Sequence, residues 1–493
     1  MLTEAEIKYF IDEDATSKLK QQAKVGQRYY EAEHDILNYR MFYFNTDGEL
    51  VEDRARANSR ICHPFFTEHV DQLAAYIMSF DDNPIQAREQ AEGLQERLDE
   101  YFDDQFWAEI QELITGANSK GFEYLYAFKN ADDRLAFECA DSLGVVEIPA
   151  KYASDNQAHV LYVYVDRIER GKKVIKRIHD YTTTEVYFYT QENAGEIKPD
   201  DEADLNPRPN VVWSDPKTGT QYGDKLGFIP FWRLDNNNKQ TSALKPIKGL
   251  IDDYDLMECG LSNNLQDFDH PIYLVKGYQG DDLTELQQNI RTKKIMGVDS
   301  EGGLEALTVD IPYAARKVKA DEDEKNIYKF GMAFNSVQMG DGNVTNVVIR
   351  SRYTLLDLKA GKLITRLKRF LKPIIKIVLD EINSKEGTDY RPTDVKVKFN
   401  PVIPINKQES AQIELTEAQT EQTRINSILN VATFIGDEAA LKAICDQLDL
   451  DFDKIKGQLD ELNEPANTTA AINTLGGVAV EPPAEIGAAE ISE

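Results

Sequence analysis

The longest regular pattern in the sequence is VVIRSRYTLLDLKAGKLITRLKRFLKPIIKIVLDEI, residues 347–382. Its apolar residues are Ile349, Tyr353, Leu356, Ala360, Leu363, Leu367, Phe370, Ile374 and Val378. They recur three and four positions apart, which predicts a helix of about nine turns with one buried stripe. Proline cannot donate to the helical ladder and clashes with the preceding turn, so Pro373 predicts a kink in this helix.

The polar face of this helix is strongly basic, although the chain as a whole is acidic. Its basic residues are Arg350, Arg352, Lys359, Lys362, Arg366, Lys368, Arg369, Lys372 and Lys376, against the acidic Asp357, Asp380 and Glu381. A basic helix in an acidic chain requires counter-charges. Pairing with an acidic helix of the same or a neighbouring subunit is favoured over direct contact with nucleic-acid phosphates.

A second helix with the same rhythm is predicted over residues 242–268, where Ile247, Ile251, Tyr254, Leu261, Leu265 and Phe268 form the apolar stripe. The acidic residues Asp252, Asp253, Asp255 and Glu258 lie off this stripe, which predicts one packed face and one acidic face. Between the two long helices we predict strands at 271–276 and 304–311, an amphipathic segment at 282–294, a helix at 313–333 and a Gly/Asn-rich loop at 335–346. The segment between the two long helices is too long for the connection of a plain helical bundle.

The remaining segments alternate between helical and β periodicity. Helices are predicted at 3–32, 63–80, 90–118, 408–435 and 437–460, an antiparallel β region at 121–190, and single strands at 228–234 and 395–402. The polar, proline-containing segment 191–225 is predicted as an extended excursion or loop. The tail from Glu464 has little to bury, and we expect it to be disordered. The sequence therefore predicts an α+β fold.

Composition excludes several classes of protein. The 493 residues contain no uncharged apolar run of the roughly 18 residues that span a bilayer, and no secretory signal is visible at the N-terminus, so we expect no membrane and synthesis in the cytoplasm. The net charge of -30 argues against tight DNA binding by the whole surface. An acidic wall suits a conduit along which DNA slides, although solubility alone explains such a charge more simply.

Motifs that carry catalytic chemistry are missing from the sequence. Gly361-Lys362 continues within a helix without the upstream glycine of a phosphate-binding loop, and Gly340-Asp341-Gly342 lacks the third glycine of a dinucleotide fingerprint. His63 and His69 are six residues apart, which is not the spacing of a metal pair on a helix. The widely separated Cys62, Cys139, Cys259 and Cys445 are interpreted as buried thiols. We therefore expect neither an enzyme nor a cofactor.

Three sequence segments, in the same order along the chain, resemble segments of the portal proteins of tailed bacteriophages. The resemblance is to the branch of long-tailed phages that infect Gram-positive bacteria. The first runs from Gly227-Phe228-Ile229-Pro230-Phe231 through Asn236-Asn237-Asn238 and Ser242-Ala243-Leu244 to Leu250-Ile251-Asp252-Asp253-Tyr254. The second joins Asn326-Ile327-Tyr328 to the Gly342-Asn343 loop and the basic helix, and the third is Phe399-Asn400-Pro401-Val402-Ile403-Pro404-Ile405-Asn406. The resemblance covers about residues 20–460.

The resemblance implies a portal fold with named parts. These are a wing of helices and antiparallel strands (1–241), a first stem helix (242–268), a clip (269–312), a second stem helix (313–334), a tunnel loop (335–346), a long kinked helix with a wing strand (347–407), a crown (408–463) and a disordered acidic tail (464–493).

It also implies where particular residues act. Contact with DNA in the channel is expected from the tunnel-loop residues Gln338, Met339, Gly340, Asp341, Gly342, Asn343, Val344, Thr345 and Asn346. The stem residues are Asp252, Asp253, Asp255, Glu258, Lys319 and Lys325, and those of the kinked basic helix are Arg350, Arg352, Lys359, Lys362, Arg366 and Pro373. Docking at the clip is expected from Lys276, Arg291, Lys293 and Lys294.

The function implied is a ring-shaped channel at one capsid vertex, typically of twelve subunits, for packaging and ejection of viral DNA. The implied partners are further copies of the chain, transiently bound double-stranded DNA, the large terminase subunit, the major capsid and scaffold proteins, and a head-completion adaptor. Two alternatives stay open at this point. One is a virion scaffold or adaptor protein that never contacts DNA, and the other is a soluble α+β enzyme.

Overall fold

The computed structural model describes residues 1–54, 56–91, 93–130, 133–214, 221–267, 272–276, 303–307, 312–335, 346–401, 419–420, 422–430, 436–447 and 456. The chain divides into two compact units, Met1–Pro404 and Ile405–Glu493. Helices and antiparallel strands occupy largely separate stretches, which agrees with the predicted α+β class.

The helices and strands have the following bounds. The helices are α1 (Glu4–Thr16), α2 (Lys18–Tyr30), α3 (Phe65–Met78), α4 (Leu94–Tyr101), α5 (Asp104–Lys120), α6 (Lys248–Asp267), α7 (Tyr313–Gly331), α8 (Asn346–Glu386) and, in the second unit, α9 (Asp437–Gln447), with 3-10 turns at Asp35–Asn38 and Pro392–Asp394. The strands are β1 (Phe42–Phe44), β2 (Leu50–Glu52), β3 (Ile85–Ala87), β4 (Phe122–Lys129), β5 (Leu135–Ala140), β6 (Val145–Ile148), β7 (His159–Glu169), β8 (Lys173–Tyr181), β9 (Glu185–Glu192), β10 (Ile197–Pro199), β11 (Arg208–Pro209), β12 (Val211–Ser214), β13 (Gln221–Asp224), β14 (Phe231–Asp235), β15 (Ile272–Lys276), β16 (Gly303–Leu307) and β17 (Val395–Val397).

The sheets are all built from antiparallel pairs. A six-stranded sheet has the order β10-β9-β8-β7-β6 with β11 added beside β9, and a three-stranded sheet has the order β14-β4-β5. Two-stranded pairs join β1 to β2, β3 to β17, β12 to β13 and β15 to β16. The antiparallel β region predicted between residues 121 and 190 is therefore confirmed. The six-stranded sheet extends beyond this region through the short strands β10 and β11.

The long helix α8 forms the centre of the largest hydrophobic core. Its predicted stripe is buried from Leu356 to Val378, and it packs with α3, α5 and strand β14. The helix continues through Pro373 to Glu386, and the bend that we expect at this proline stays a prediction. A separate core packs α1 against the six-stranded sheet, and another joins α2, α3, α6 and α7.

The first long helix begins later than predicted, at Lys248 instead of residue 242. Residues 243–247 form turns, and the Ser242 hydroxyl before them accepts a hydrogen bond from the Leu244 N–H at 3.0 Å. The physical reason is Pro246, which disfavours helical backbone at the residue before it and lacks its own N–H donor.

Other predicted elements are shorter or divided. Ser17 divides the helix predicted at 3–32, because its extended backbone ends α1 while its side chain caps α2. Asp103 divides 90–118 in the same way by capping α5. Segment 191–225 contains four short strands, and the strands predicted at 228–234 and 395–402 are limited to β14 and β17.

Candidate functional site: the paired helices and their anchors

Helices α6 and α7 lie side by side and are joined by polar contacts. The Lys319 ammonium on α7 donates to Asp253 Oδ2 on α6 at 2.6 Å and also pairs with Asp323 on its own helix. Arg316 Nη1 donates to the Met257 carbonyl at 3.4 Å. Two of the predicted stem residues, Asp253 and Lys319, are thus brought together across the helix pair. Two others, Glu258 and Lys325, lie on α6 and α7, and Lys325 is exposed.

Asp252 connects α6 to the N-terminal helix α2. It accepts hydrogen bonds from the Tyr29 hydroxyl and from Lys248 Nζ, the latter at 2.8 Å. Burial and the hydrogen bond to Asp252 raise the pKa of the Tyr29 phenol above its ordinary value, so Tyr29 remains a neutral donor. Asp252 therefore anchors α2 to the stem-like helix pair.

The prediction that Asp255 belongs to an exposed acidic face is wrong, because Asp255 is buried. Its Oδ2 accepts from His34 Nδ1 at 2.6 Å, and its Oδ1 accepts from His63 Nδ1 at 2.7 Å and from the His63 backbone N–H at 3.0 Å. Burial raises the pKa of the Asp255 carboxyl, but the hydrogen bonds from His34 and His63 and the charge of His34 outweigh burial, so the pKa is lowered overall. Asp255 is a structural carboxylate and does not face solvent.

An extended segment, residues 57–63, runs along α6 through an unusual set of hydrogen bonds. We call this segment the strap. Its alternate backbone N–H groups donate to side chains one helical turn apart, as follows: Ala57 to Asp267 Oδ1 at 2.9 Å, Ser59 to Asn263 Oδ1 at 2.6 Å, Ile61 to Cys259 Sγ at 3.2 Å and His63 to Asp255 Oδ1 at 3.0 Å. Two residues of extended chain advance roughly 6.6 Å and four helical residues about 6 Å, so the two repeats stay in step over this length.

Sequence reasoning missed the strap, although a signal for it is present. Asp255, Cys259, Asn263 and Asp267 recur every four residues and therefore lie on one face of α6, and each can accept a hydrogen bond. We predicted only that Asp255 belongs to an acidic face of this helix. An unbroken line of short acceptors on a helix is also the pattern that an extended neighbouring backbone requires.

The C-terminal end of α7 is held by a half-buried lysine of the basic helix. Lys359 Nζ on α8 donates to the Gly331 carbonyl at 3.1 Å, where the helix dipole favours a cation. Desolvation lowers the pKa of Lys359 to about 8. His69 of α3 lies against Gly331 so closely that a side chain at position 331 would collide with it. Burial lowers the pKa of His69 to about 3, so its imidazole is neutral beside Lys359.

The chain that leaves α7 is clamped before it reaches the predicted tunnel loop. Gln72 on α3 both donates to the Phe334 carbonyl at 2.9 Å and accepts from the Phe334 N–H at 3.1 Å. The Phe334 ring stacks on Tyr353 of α8 with centroids 4.4 Å apart. The N-terminal end of this loop is thus fixed to both α3 and α8.

The sequence favoured an acidic helix of the same or a neighbouring subunit as the partner of the basic face of α8, and the described residues of this chain supply no carboxylate to its basic residues between 359 and 376. Within the described part of the chain, no carboxylate lies within 4.0 Å of the basic side chains of Lys359, Lys362, Arg366, Lys368, Arg369, Lys372 and Lys376. Arg366 instead donates to Asn238 Oδ1 at 2.6 Å. Lys368, Arg369 and Lys372 line a groove of about 550 Å³ beside the 3-10 turn at Pro392–Asp394. A pairing partner for this face stays a prediction.

Several predicted residues cannot be compared with the structure. Gln338 to Thr345 of the tunnel loop and the clip residues Arg291, Lys293 and Lys294 lie outside the described residues. Lys276 ends β15, and Asn346, Arg350 and Arg352 lie in the first turns of α8. The amphipathic segment 282–294 and most of the helices and tail predicted after residue 408 also fall outside the description, while residues 422–430 and α9 are helical.

The cysteines and metal sites were also predicted from sequence. All four cysteines are free; Cys259 and Cys445 are buried as predicted, whereas Cys62 and Cys139 are only partly so. Among the described residues, no group of histidine, cysteine and carboxylate side chains has the arrangement of a metal site. No described helix combines the length and apolarity needed to cross a bilayer.

The contacts described above hold long helices against one another and against the N-terminal segment, an arrangement typical of a structural subunit. The family model described as "Phage portal protein, SPP1 Gp6-like" matches residues 9–463, and the chain belongs to this family. The chain is 26% identical to the portal protein of Bacillus phage SPP1 over 373 residues, which cover 74% of this chain and 71% of that relative. It is 24% identical to the portal protein of Clostridium phage phiCD119 over 400 residues, which cover 76% and 81% of the two chains.

Proposed function

We propose that this chain is the subunit of a closed ring at one vertex of a phage capsid, through which double-stranded DNA is packaged and later ejected. The observation that carries the proposal is the family match over residues 9–463, which includes both paired helices and the long basic helix. The curated relatives are named portal proteins, and both come from phages of Gram-positive bacteria. The role is mechanical and not enzymatic.

The parts of the chain have separate roles in this proposal. Helices α6 and α7 are the two stem helices, and their Asp253–Lys319 contact supports a rigid tube wall. The pair β15 and β16 lies between them in the chain and forms the base of the clip. Residues 335–346 are the tunnel loop, α8 is the long helix behind it, residues 408–463 are the crown, and the N-terminal 241 residues form most of the wing.

We propose that the channel interacts only weakly with the DNA that passes through it. A net charge of -30 repels a polyanion, which prevents DNA from adhering as it slides. The loop 335–346 carries no lysine or arginine, and its neutral Gln338, Asn343 and Asn346 side chains can form hydrogen bonds with phosphates that break readily. The clamp at Phe334 supports this assignment, because it fixes one end of a loop that must resist a moving strand.

The proposed partners follow from the same assignment. The ring docks the large terminase subunit at the clip, and the basic residues Lys276, Arg291, Lys293 and Lys294 are proposed to take part in this contact. It is built into the capsid with the major capsid and scaffold proteins and later receives a head-completion adaptor. The protein is therefore a virion component after assembly in the host cytoplasm.

Ring formation is the direct test. Purified protein at high micromolar concentration and moderate salt is expected to sediment as a large oligomer, typically a dodecamer, and to show rings with a central hole by negative-stain microscopy. Sedimentation as a monomer alone under these conditions would contradict the proposal. Salt dependence provides a further check, since contacts made by the basic face of α8 weaken as ionic strength rises.

A further inference from the structure

The groove beside the long helix α8 carries positive charge that no described carboxylate neutralises. We call it the basic groove. It has a volume of about 550 Å³ and lies between α8 and the chain around β17. Lys368, Arg369 and Lys372 supply its cations, and none of their side chains forms an ion pair or a hydrogen bond within the described part of the chain. The groove therefore presents three cations that lack partners in the subunit.

The basic groove also has apolar walls. Ile375 and Val395, which line it, are buried, and Val397 is partly buried. The neighbouring carboxylate of Asp394 is already used, because its Oδ2 accepts from the Arg391 N–H at 2.9 Å. The volume is within the range of about 300–1,000 Å³ that is usual for binding sites. The groove is therefore suited to a segment that combines carboxylates with an apolar side chain.

A loop between β10 and β11 has the complementary chemistry. Residues 200–205, which we call the acidic loop, have the sequence DDEADL, with four carboxylates and no basic residue. Asp201 and Asp204 are exposed and form no ion pair with any residue that the structure describes. Leu205, which follows them, is 52% exposed. The acidic loop therefore presents two unpaired carboxylates beside an uncovered apolar side chain.

Both ends of the acidic loop are held by its own subunit. Arg177 on β8 donates to Asp200 Oδ2 and to Glu202 Oε2, each at 2.6 Å. Just after the loop, the Asn206 side chain accepts from the Phe188 N–H at 3.1 Å and donates to the Phe188 carbonyl at 2.7 Å. These contacts leave the two exposed aspartates of the loop free. Because the loop is already ordered, little conformational entropy is lost when it binds a partner.

We propose that the acidic loop of one subunit binds in the basic groove of a second copy of this chain in the assembled ring. The inference rests on the proposed function. Asp201 and Asp204 pair with the cations of the groove, and Leu205 covers its apolar walls. In a closed ring of identical subunits each contact joins two different surfaces, so every loop meets a groove and every groove meets a loop.

The chemistry of the groove favours this peptide segment over DNA. Phosphates would pair with the cations but would leave the apolar side chains of Ile375, Val395 and Val397 in contact with water. The acidic loop offers carboxylates and an apolar group together. It joins two strands of the six-stranded sheet, whereas the groove is formed by α8 and β17. The chain thus carries two complementary surfaces on separate elements, as a heterologous contact requires.

A charge-swap experiment in the full chain tests the contact. R369E with K372E reverses the groove, and D201K with D204K reverses the loop. Either double variant is expected to raise the protein concentration at half assembly by roughly tenfold or more, because like charges that face each other in an interface are strongly unfavourable. All four side chains are exposed in the subunit, so the melting temperature is expected to stay unchanged.

The fourfold variant, which combines both reversals, is expected to recover assembly to near the wild-type concentration, because the two surfaces attract each other again. D81K with D82K reverses another exposed acidic pair and is the control. Combined with R369E and K372E, it is expected to restore nothing. Normal assembly of either loop or groove variant, or rescue by the control pair equal to that by the loop pair, refutes the contact while the rings of the wild type leave the proposed function standing.

Carbodiimide cross-linking of wild-type rings is an independent measurement that needs no variant. The reagent joins a carboxylate to a contacting lysine amine as an amide, with loss of water taken up by the carbodiimide. In rings mixed from isotopically light and heavy subunits, links from Asp201 or Asp204 to Lys368 or Lys372 are expected between differently labelled chains. Links from these lysines only to other carboxylates refute the contact.

Two further outcomes separate the alternatives. If R369E with K372E assembles normally and only the retention of DNA by the rings is lost, DNA is the occupant of the groove and the contact is refuted. Wild-type protein that never forms rings refutes the proposed function and the contact together. The failure of the contact alone is therefore distinguishable from the failure of the ring.

Discussion

Asp255 is the side chain at which three segments of the chain meet. Asp255 lies on α6. Its carboxylate accepts hydrogen bonds from His34, which follows α2, and from His63 at the end of the strap. A buried carboxylate is stable only when its charge is compensated, and the two imidazoles provide that compensation. One residue of α6 therefore ties two N-terminal segments to the helix that we propose as a stem.

The variant D255N is expected to lower the free energy of unfolding by about 2–4 kcal/mol at pH 7, because it removes the charged acceptor of the buried His34 and the half-buried His63. The pKa of Asp255 is lowered in the fold, so its stabilisation is present above the ordinary aspartate pKa of about 3.9 and is lost as pH falls below it. Urea denaturation of both proteins from pH 7 to pH 3 checks this. The exposed salt-bridge variant D253N is the control and is expected to cost about 1 kcal/mol or less. Equal losses in the two variants would contradict the role of Asp255.

At the scale of elements, the contact between the strap and α6 depends on matched repeats. Alternate strap residues meet every fourth residue of the helix, so a shift of either element by one residue breaks all of these hydrogen bonds together. The helix contributes side-chain acceptors and the strap contributes backbone N–H donors. These hydrogen bonds fix the register of the strap on the helix without any pairing to a β-strand. The β1–β2 hairpin receives its position from this contact.

Neighbouring asparagines on α6 provide a matched pair of variants. Asn263 accepts from the Ser59 N–H at 2.6 Å and is buried, whereas Asn264 lies about 100° further round the helix and is only partly buried. N263A is expected to lower the free energy of unfolding by about 1–3 kcal/mol, because a buried N–H loses its acceptor. N264A is expected to change it by about 0.5 kcal/mol or less. Amide hydrogen exchange at Ser59 should accelerate in N263A alone, and unchanged protection there would disprove the contact.

At the scale of the whole molecule, charge is unevenly distributed. The chain has a net charge of -30, yet α8 presents basic side chains that have no carboxylate partner within the described residues. In a ring, the acidic surface of a neighbouring subunit can supply these partners. In the ring that we propose, the same acidity repels DNA from the channel wall, and only the short loop 335–346 contacts the DNA.

That loop provides the whole-molecule prediction. Cysteines introduced at Gln338 and Asn343, with the native cysteines replaced, are expected to cross-link to thiol-tethered DNA arrested in packaged particles. The reason is that a glycine-containing segment, held at its N-terminal end by the contacts of Phe334, can follow a moving helical surface. A cysteine at Tyr152 is the control and is expected not to react. Loop cysteines that remain reactive toward bulky reagents outside the ring, and never link to arrested DNA, would place the loop outside the channel.

The sequence by itself determined the elements that have long, regular apolar periodicity. The buried stripe of α8, the helices α6 and α7, and the antiparallel region from residue 121 were predicted because burial on one face leaves a repeat of 3.6 or 2 residues. Three ordered phrases also indicated the portal family. The start of α6 was predicted wrongly because the effect of Pro246 was overlooked, although it is local and visible in the sequence.

Only the tertiary structure decided which partner each polar residue meets. Asp255 and Lys359 have the sequence pattern of solvated charges, yet Asp255 is buried between two histidines and the half-buried Lys359 donates to the end of α7. The β1–β2 hairpin is rich in apolar residues, as a buried hairpin is, yet its apolar side chains are exposed. The reason is physical: periodicity records that a face is buried or solvated on average, whereas the partner of a single charge or hairpin comes from a segment up to hundreds of residues away. Chain folding brings these segments together, and no local pattern encodes their distance.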